Sequence, residues 1–176
     1  MTRSPTDAEF TEMVHGCWGS LYRTAYLLVG DHGLAEDLTQ TALAKTYASW
    51  SKVRSVEAGP AYARTTLVNT ASEWFRKRSW RRELPSEQLR DQAATPHDPS
   101  LRPTVVAALD LLAPRQRAVV VLRYYEDLSV AETARALGCS EGTVKSQTFD
   151  ALAVLRTHLG ESVVPLNTAS NSGSSS

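Results

Sequence analysis

A polar, proline-rich break divides this chain of 176 residues into two halves. Helical periodicity fades between Glu83 and Pro103, where prolines would interrupt any helix. These prolines are Pro85, Pro96, Pro99 and Pro103. Because structureless stretches of about 20 residues are rare inside a compact domain, we predict two small domains joined by a flexible linker over residues 84–103.

The front domain, predicted over residues 6–83, begins with a helix whose two ends are marked in the sequence. Thr6 and Glu9 form a capping box, in which a hydroxyl and a carboxylate each cover free backbone N–H groups. Gly30 is placed to take the left-handed backbone that ends the helix, and Asp31 to cap the next one. The predicted apolar stripe recurs at every third or fourth residue and comprises Phe10, Val14, Cys17, Trp18, Leu21, Ala25 and Leu28.

Two more helices are predicted in this half. The second ends near Trp50, and a loop over Ser51–Gly59 leads to Pro60 in the first turn of the third. The predicted inner residues of the second helix are Leu34, Leu38, Ala42 and Tyr47. Those of the third are Tyr62, Leu67, Ala71, Trp74 and Phe75. Strand signals are nearly absent from the whole chain, so we predict an all-α fold.

The third helix ends in a basic cluster, although the chain balances 19 Lys and Arg against 19 Asp and Glu. Residues 60–82 contain one acid, Glu73, and six basic residues. The basic residues are Arg64, Arg76, Lys77, Arg78, Arg81 and Arg82. Cations also suit helix C-termini, but five basic residues among the seven in Arg76–Arg82 exceed what capping needs. The cluster therefore predicts a site for a polyanion.

The rear domain, predicted over residues 104–160, carries a helix-turn-helix pattern after two helical segments. Ala134 is small where two helices cross, Gly138 suits the positive φ of the turn, and Val144 packs back into the angle. An ordinary helical hairpin is the alternative, but capping signals at Ser129 and Ser140 and the short turn favour a helix presented to the DNA major groove. The residues predicted to lie on or near the exposed start of this recognition helix are Ser140, Glu141, Thr143, Lys145, Ser146 and Gln147.

Several classes of site are not favoured. Cys17 and Cys139 lack the spacing of a zinc site or a disulfide framework, and His15 points away from Cys17 on a helix. We recognise no phosphate loop, metal-ligand set or nucleophile–base pair, so we expect no enzyme, cofactor, metal or small-molecule substrate.

Without a signal core or an apolar run of about 20 residues, we expect a cytoplasmic protein with no membrane partner. Residues 161–176 are predicted to be a disordered tail.

Both halves contain segments that resemble the extracytoplasmic-function (ECF) class of RNA polymerase sigma factors, SigE-like proteins that hold only sigma regions 2 and 4. The region 4 pattern is followed by residues 112–146, LAPRQRAVVVLRYYEDLSVAETARALGCSEGTVKS. The region 2 segment that docks on polymerase resembles residues 35–50, AEDLTQTALAKTYASW. The helix that meets the −10 element resembles residues 61–83, AYARTTLVNTASEWFRKRSWRRE.

The resemblance implies a sigma factor that directs RNA polymerase core to specific promoters and promotes DNA opening. It implies contact with the β′ clamp through Asp37, Leu38, Gln40 and Leu43. It implies −10 DNA contacts by Lys52, Arg54, Arg64, Asn69, Trp74, Arg76 and Arg78. Such residues suit melted DNA, because aromatic rings stack on bases while Arg and Lys hold phosphates. The rear domain would read the −35 duplex and rest on the β flap.

Some residues leave alternatives open or depart from the pattern. Trp74 falls on the apolar stripe and would equally suit the core, and Asn69 would equally suit a solvated surface. Thr41 stands where an acid is common in relatives, which would alter the clamp contact. Asp150 places negative charge near the phosphates, so we predict weak −35 binding by the isolated rear domain, with polymerase supplying affinity by tethering.

Two other functions remain as alternatives. A free-standing helix-turn-helix regulator would bind a palindromic site as a dimer, yet we recognise no dimerisation helix and the front domain would have no role. A sigma-like decoy for an anti-sigma protein would not need the basic residues of Arg76–Arg82. An anti-sigma factor as partner stays open, as does packing of the two domains that masks DNA-binding surfaces in the free protein.

Overall fold

The structure is a computed structural model that describes residues 5–80 and 103–160. The front domain comprises α1 (Asp7–Val29), α2 (His32–Ala48) and α3 (Gly59–Trp80), with short 3₁₀ turns at Trp50–Lys52 and Val56–Ala58. The rear domain comprises α4 (Pro103–Asp110), α5 (Pro114–Val120), a π-helical turn (Val121–Tyr125), α6 (Val130–Leu137) and α7 (Glu141–Leu159).

 The described residues contain no strand, and none of their helices is long and apolar enough to cross a membrane. The tail, and the linker apart from Pro103, lie outside the described residues, as do Arg81 and Arg82.

The ends of α1 and the start of α2 confirm the predicted capping. The Thr6 backbone N–H donates to the Glu9 carboxylate at 2.7 Å, and the Glu9 N–H donates to the Thr6 hydroxyl at 3.3 Å. Gly30 ends α1 with a φ of 71°. Asp31 then accepts a hydrogen bond from the Leu34 N–H at 2.7 Å and opens α2. The left-handed glycine and the new cap turn the chain back on itself, so that α1 and α2 pack side by side.

The front core forms where the apolar faces of α1, α2 and α3 meet. The buried residues of the predicted stripes are Cys17, Leu21, Ala25, Leu28, Leu38, Ala42, Leu67 and Ala71. Tyr47 and Tyr62 were expected inside but are 49% and 41% exposed. The Tyr47 hydroxyl donates to Asp7 at 3.1 Å, which keeps that ring at the surface. Trp50 is buried instead, and its indole N–H donates to the Thr6 carbonyl at 2.9 Å.

The rear domain has the predicted helix-turn-helix geometry. Gly138 takes a φ of 64° between α6 and α7, where a side chain would be strained. Val144 is fully buried and Ala134 is 6% exposed, so the two helices approach closely at these residues. The Ser140 hydroxyl caps α7 by accepting from the Thr143 N–H at 3.1 Å. The helix predicted over residues 114–125 is confirmed as α5 and its π-helical continuation.

Candidate nucleic-acid and polymerase surfaces

Arg64, Asn69 and Arg76 are exposed residues of α3 that line a single cleft. The cleft has a volume of about 810 Å³ and lies between α3 and α1 on one side and the start of the helix-turn-helix on the other. Its lining includes the apolar side chains of Leu21 and Val68. The structure therefore brings three of the predicted −10 residues together, beside apolar surface and facing the rear domain.

The other predicted −10 residues lie elsewhere. Trp74 and Arg78 line a second cleft of about 350 Å³ together with Arg115 of the rear domain. The Arg78 guanidinium carbon lies 5.1 Å from the centre of the Trp74 ring, which is itself half-buried against the core. Lys52 and Arg54 are exposed between α2 and α3 and line neither cleft. Trp74 thus contributes to the core and also supports a cation at the surface.

The four residues implied for the polymerase clamp differ in accessibility. Asp37 and Gln40 are exposed on α2, where the Gln40 amide donates to Glu36 at 3.2 Å. Leu38 and Leu43 are only 5% and 7% exposed, because they face α1 and α3 in the core. Direct contact with a partner is therefore available to Asp37 and Gln40, whereas Leu38 and Leu43 hold α2 in position.

The predicted −35 residues follow the N-terminal half of α7. Glu141, Lys145 and Ser146 are exposed, as is Ser140 at the cap. Thr143 and Gln147 are partly exposed. The hydroxyls of Ser140 and Thr143 lie 2.9 Å apart and are engaged in the cap, which leaves the charged and amide side chains of α7 as the freer groups for a base edge or a phosphate.

Glu126 joins the two domains and was not recognised from the sequence. One carboxylate oxygen accepts from the Arg64 Nε at 2.8 Å, and the other accepts from the Thr24 hydroxyl at 3.1 Å. The Glu126 side chain is only 4% exposed, whereas that of Arg64 is 50% exposed. The hydrogen bond that Arg64 donates to Glu126 raises the pKa of Arg64 above its ordinary value, so this guanidinium stays charged.

Arg117 makes a second contact between the domains that sequence reasoning missed. This residue of α5 is 5% exposed, and its guanidinium donates to the carbonyls of Leu27 at 2.7 Å and Tyr26 at 3.2 Å, at the end of α1. It also pairs with Asp110 at 2.6 Å. Carbonyls at a helix C-terminus lack intrahelical donors, and Arg117 supplies one to Leu27. The Tyr26 carbonyl also accepts from the Gly30 N–H at 2.8 Å. No local pattern marks this contact, because its partners are 90 and 91 residues away.

We expect Gly30→Ala to lower the free energy of unfolding by about 1–2 kcal/mol, the cost of a left-handed backbone for a residue with a side chain. The new Cβ would also lie 2.8 Å from Nη1 of Arg117. Gly19→Ala is the control, since Gly19 is exposed inside α1 with nothing within 4 Å, and it should stabilise by about 0.5–1 kcal/mol. Urea denaturation measures both variants, and equal changes would contradict the expectation.

Two known families match this chain, one over each of its two helical domains. Residues 17–81 match the Sigma-70 region 2 family. Residues 104–155 match the Sigma-70 region 4 family. The first match spans most of α1 through α3, and the second spans α4 through the larger part of α7.

Individual relatives agree with this division. The chain is 45% identical over 155 residues to the RNA polymerase sigma-E factor of Streptomyces coelicolor, covering 86% of each chain. It is 35% identical to the ECF RNA polymerase sigma factor SigL of Mycobacterium tuberculosis, covering 80% of this chain and 83% of that one.

A solved structure also resembles this chain over both of its domains. It is the sigma factor RpoE of Bartonella quintana, crystallised with the anti-sigma factor NepR, with 26% identity and a TM-score of 0.54. The match covers 85% of this chain and 96% of that one. With a region 2 domain followed by a region 4 domain, and with relatives of the same extent, the chain belongs to the ECF family of RNA polymerase sigma factors.

Proposed function

We propose that this chain directs RNA polymerase core to specific promoters through one polymerase-binding surface and two DNA-binding surfaces. The proposal assigns residues 6–83 to region 2, 84–103 to the linker and 104–160 to region 4. The observation that carries it is the convergence of Arg64, Asn69 and Arg76 of α3 on one cleft in a chain of the sigma family. The chain acts as an initiation factor and catalyses no reaction itself.

The proposed polymerase surface is the exposed face of α2. Asp37 and Gln40 would contact the β′ clamp, with the exposed Thr41 beside them. Leu38 and Leu43 support this face from the core, so their contribution is the fixed orientation of α2. A second polymerase contact, between region 4 and the β flap, would hold region 4 near the upstream duplex.

The proposed −10 surface is formed by α3 and the loop before it. Arg64, Arg76 and Arg78 would hold phosphates, with Lys52 and Arg54 extending the positive surface toward α2. Unpaired bases offer flat faces to aromatic rings and free edges to polar side chains. Asn69, exposed in the cleft, would donate to and accept from a base edge, and the half-buried Trp74 offers its outer edge for stacking.

The proposed −35 surface is the exposed start of α7. Ser140, Glu141, Thr143, Lys145, Ser146 and Gln147 form this surface. Glu141 would accept a hydrogen bond from a cytosine amino group. Asp150 is exposed further along α7 and opposes phosphate binding, so polymerase tethering would supply much of the affinity.

We expect Lys145→Ala to weaken −35 duplex binding about equally across sequences and to reduce the salt slope of binding by about 1. Lys145 is exposed and has no hydrogen bond or ion pair within the described part of the chain, so its ammonium group is available to a phosphate. Lys45→Ala carries the same charge change, but Lys45 lies on α2 and pairs with Glu73 at 2.9 Å. Titrating salt with polymerase-bound protein on a promoter measures both slopes. An unchanged salt slope for Lys145→Ala would mean that Lys145 does not belong to the proposed −35 surface.

The function itself is tested by adding the purified chain to core polymerase with genomic DNA fragments and mapping transcript starts. Initiation at defined sites supports the proposal. A strong symmetric footprint without polymerase would support a free-standing regulator instead.

The proposed site of action is the cytoplasm, where polymerase and promoter DNA meet. An anti-sigma factor is a further proposed partner, supported by the Bartonella relative solved with NepR.

A further inference from the structure

The loop between α2 and α3 carries two of the cations that the proposed function assigns to −10 DNA. Lys52 and Arg54 are exposed, whereas Val53 between them is only 6% exposed. The regular structure within the loop is limited to the short 3₁₀ turns Trp50–Lys52 and Val56–Ala58. Such turns hold only a few residues, so the shape of the loop depends on the side chains that anchor it.

Trp50 is the anchor at the start of this loop. Its side chain is 3% exposed, and its indole N–H donates to the Thr6 carbonyl at 2.9 Å. Thr6 is itself fixed, because it forms the capping box of α1 with Glu9. The hydrogen bond therefore ties the loop to a helix start that lies 44 residues earlier in the chain.

Phe10 and Gly59 pack against the same indole ring. The centres of the Phe10 and Trp50 rings lie 5.2 Å apart in an edge-to-face arrangement, which is favourable for aromatic pairs. A Cβ placed on Gly59, the first residue of α3, would lie 3.0 Å from Cη2 and Cζ3 of Trp50. Trp50 precedes the loop and Gly59 follows it, so this one ring holds both ends of the loop.

Tyr47 adds a second tie between the same two elements. Its hydroxyl donates to the Asp7 carboxylate at 3.1 Å, and its ring centre lies 4.9 Å from that of Phe10. The first turn of α1 thus holds the end of α2 as well as the start of the loop. We refer to Thr6, Asp7, Phe10, Tyr47 and Trp50 as the α1 clasp.

The loop cations depend on this anchoring for their placement. Neither Lys52 nor Arg54 has a hydrogen bond or an ion pair to another residue of the described ranges, 5–80 and 103–160. Their positions are therefore determined by the backbone of the loop. Hydrogen bonds weaken steeply with angle and ionic interactions weaken with distance, so a displaced loop would contact a DNA strand less well.

We infer that the α1 clasp is a positioning element for promoter opening, which holds the loop so that Lys52 and Arg54 face −10 DNA. The inference rests on the proposed −10 surface, to which both cations belong. It gives a role in opening to the first turn of α1, which precedes residue 17, where the Sigma-70 region 2 match begins. The clasp itself touches no DNA and acts through the loop.

The test is Trp50→Phe in the full chain with core polymerase, on a promoter at which the wild-type chain initiates. The variant keeps an aromatic ring and removes the N–H that bonds Thr6. A neutral hydrogen bond corresponds to about two- to tenfold in an equilibrium constant, so permanganate reactivity of the opened promoter should fall by about that factor. Binding to core polymerase should not change, because Asp37 and Gln40 lie further back on α2. Trp18→Phe, the same change at a half-buried residue of α1, should open the promoter as wild type does.

A second background distinguishes positioning from general support of the fold. In a chain that carries Lys52→Ala and Arg54→Ala, Trp50→Phe should cause no further loss of opening, because it acts through those two cations. Its loss in the wild-type background should also not exceed the loss caused by removing both cations. A residue that only stabilises the fold would lower opening in both backgrounds and lower polymerase binding with it.

Gly59→Ala keeps the test decisive if Trp50→Phe fails to fold. The φ of Gly59 is −54°, which alanine adopts without strain. Its Cβ would instead act through close contacts, at 3.0 Å from the Trp50 ring and 3.1 Å from Cγ of Met13. Opening should again fall, with no further loss in the chain that lacks both loop cations. Gly19→Ala is the control, since nothing lies within 4 Å of the added Cβ, and circular dichroism checks the folding of each variant.

Each outcome decides the inference separately from the sigma function. Equal losses for Trp50→Phe with and without the loop cations overturn it, and so does wild-type opening by folded Trp50→Phe and Gly59→Ala. Undiminished opening without Lys52 and Arg54 overturns it as well, because the clasp would then position nothing that DNA contacts. In all three cases, initiation by the wild-type chain with core polymerase would leave the sigma function intact. Absence of that initiation would instead remove the proposed function.

Discussion

Charge reversal of Arg76 and Arg78 together, to Glu, is expected to reduce promoter opening by about 100-fold or more. A hydrogen bond to a charged group contributes about 1.5–3 kcal/mol, so losing two such contacts removes about 3–6 kcal/mol. Each 1.4 kcal/mol corresponds to about a factor of ten. Repulsion between the new carboxylates and the phosphates adds to the loss. Binding to polymerase should change little, because Asp37 and Gln40 lie on α2 and not on this end of α3.

Both quantities can be measured on the same samples. Permanganate reactivity of thymines reports the opened promoter, and fluorescence anisotropy reports binding to core polymerase. Arg156→Glu is the control, a charge reversal on α7 outside the proposed −10 surface. Loss of polymerase binding in parallel with opening would contradict the assignment of Arg76 and Arg78 to DNA.

The hydrogen bonds of Arg76 to region 4 affect how this experiment is interpreted. In the free chain, the Arg76 guanidinium donates to region 4 carbonyls, so reversing its charge also weakens the contact between the regions. In the polymerase-bound protein, we expect the same variant to report the proposed contact with DNA. Comparing free and polymerase-bound protein therefore separates the two roles of this side chain.

Local features of the fold were predictable because their causes are local. The capping box of Thr6 and Glu9, the left-handed Gly30 and Gly138, and the cap at Ser140 each depend on residues within a few positions of one another. The helix-turn-helix followed from the same kind of signal. These predictions are confirmed, because tertiary contacts do not override the local backbone conformations at these caps and turns.

Aromatic residues were harder to place. Tyr47 fits the apolar spacing of α2, yet its hydroxyl bonds Asp7 at the surface. Trp50, just beyond the end of α2, is buried and donates to the Thr6 carbonyl. The spacing of apolar residues does not show which aromatic ring is buried against the neighbouring helix. Which ring is buried depends on contacts between helices that are distant in sequence.

The candidate surfaces were predictable in part. The family resemblance implies a polymerase contact on α2, but only the structure separates the exposed Asp37 and Gln40 from the buried Leu38 and Leu43. The ion pair of Arg64 with Glu126 joins residues 62 positions apart and leaves no local signal.

Val144→Asp is expected to unfold region 4 and to abolish initiation at promoters that depend on the −35 element. Val144 is fully buried in the angle between α6 and α7, and its backbone N–H already bonds the Ser140 carbonyl at 3.1 Å. A carboxylate there would enter the apolar core to which Ala134 and Leu137 also belong. Leaving a buried charge unpaired costs about 3–5 kcal/mol, a large share of the stability of a small domain.

The matched control for this change is Ala153→Asp, which introduces the same carboxylate on the exposed side of α7. It should alter stability by about 0.5 kcal/mol or less, as surface substitutions usually do. Proteolysis and circular dichroism should show loss of region 4 helices in Val144→Asp alone, while α2 continues to bind core polymerase. A variant that keeps a folded, −35-competent region 4 would mean that Val144 does not hold the helix-turn-helix together. Loss of polymerase binding as complete as the loss of region 4 would mean that the two regions fold as one unit. The contacts of Arg117 and Glu126 with region 2 would then be required for its stability.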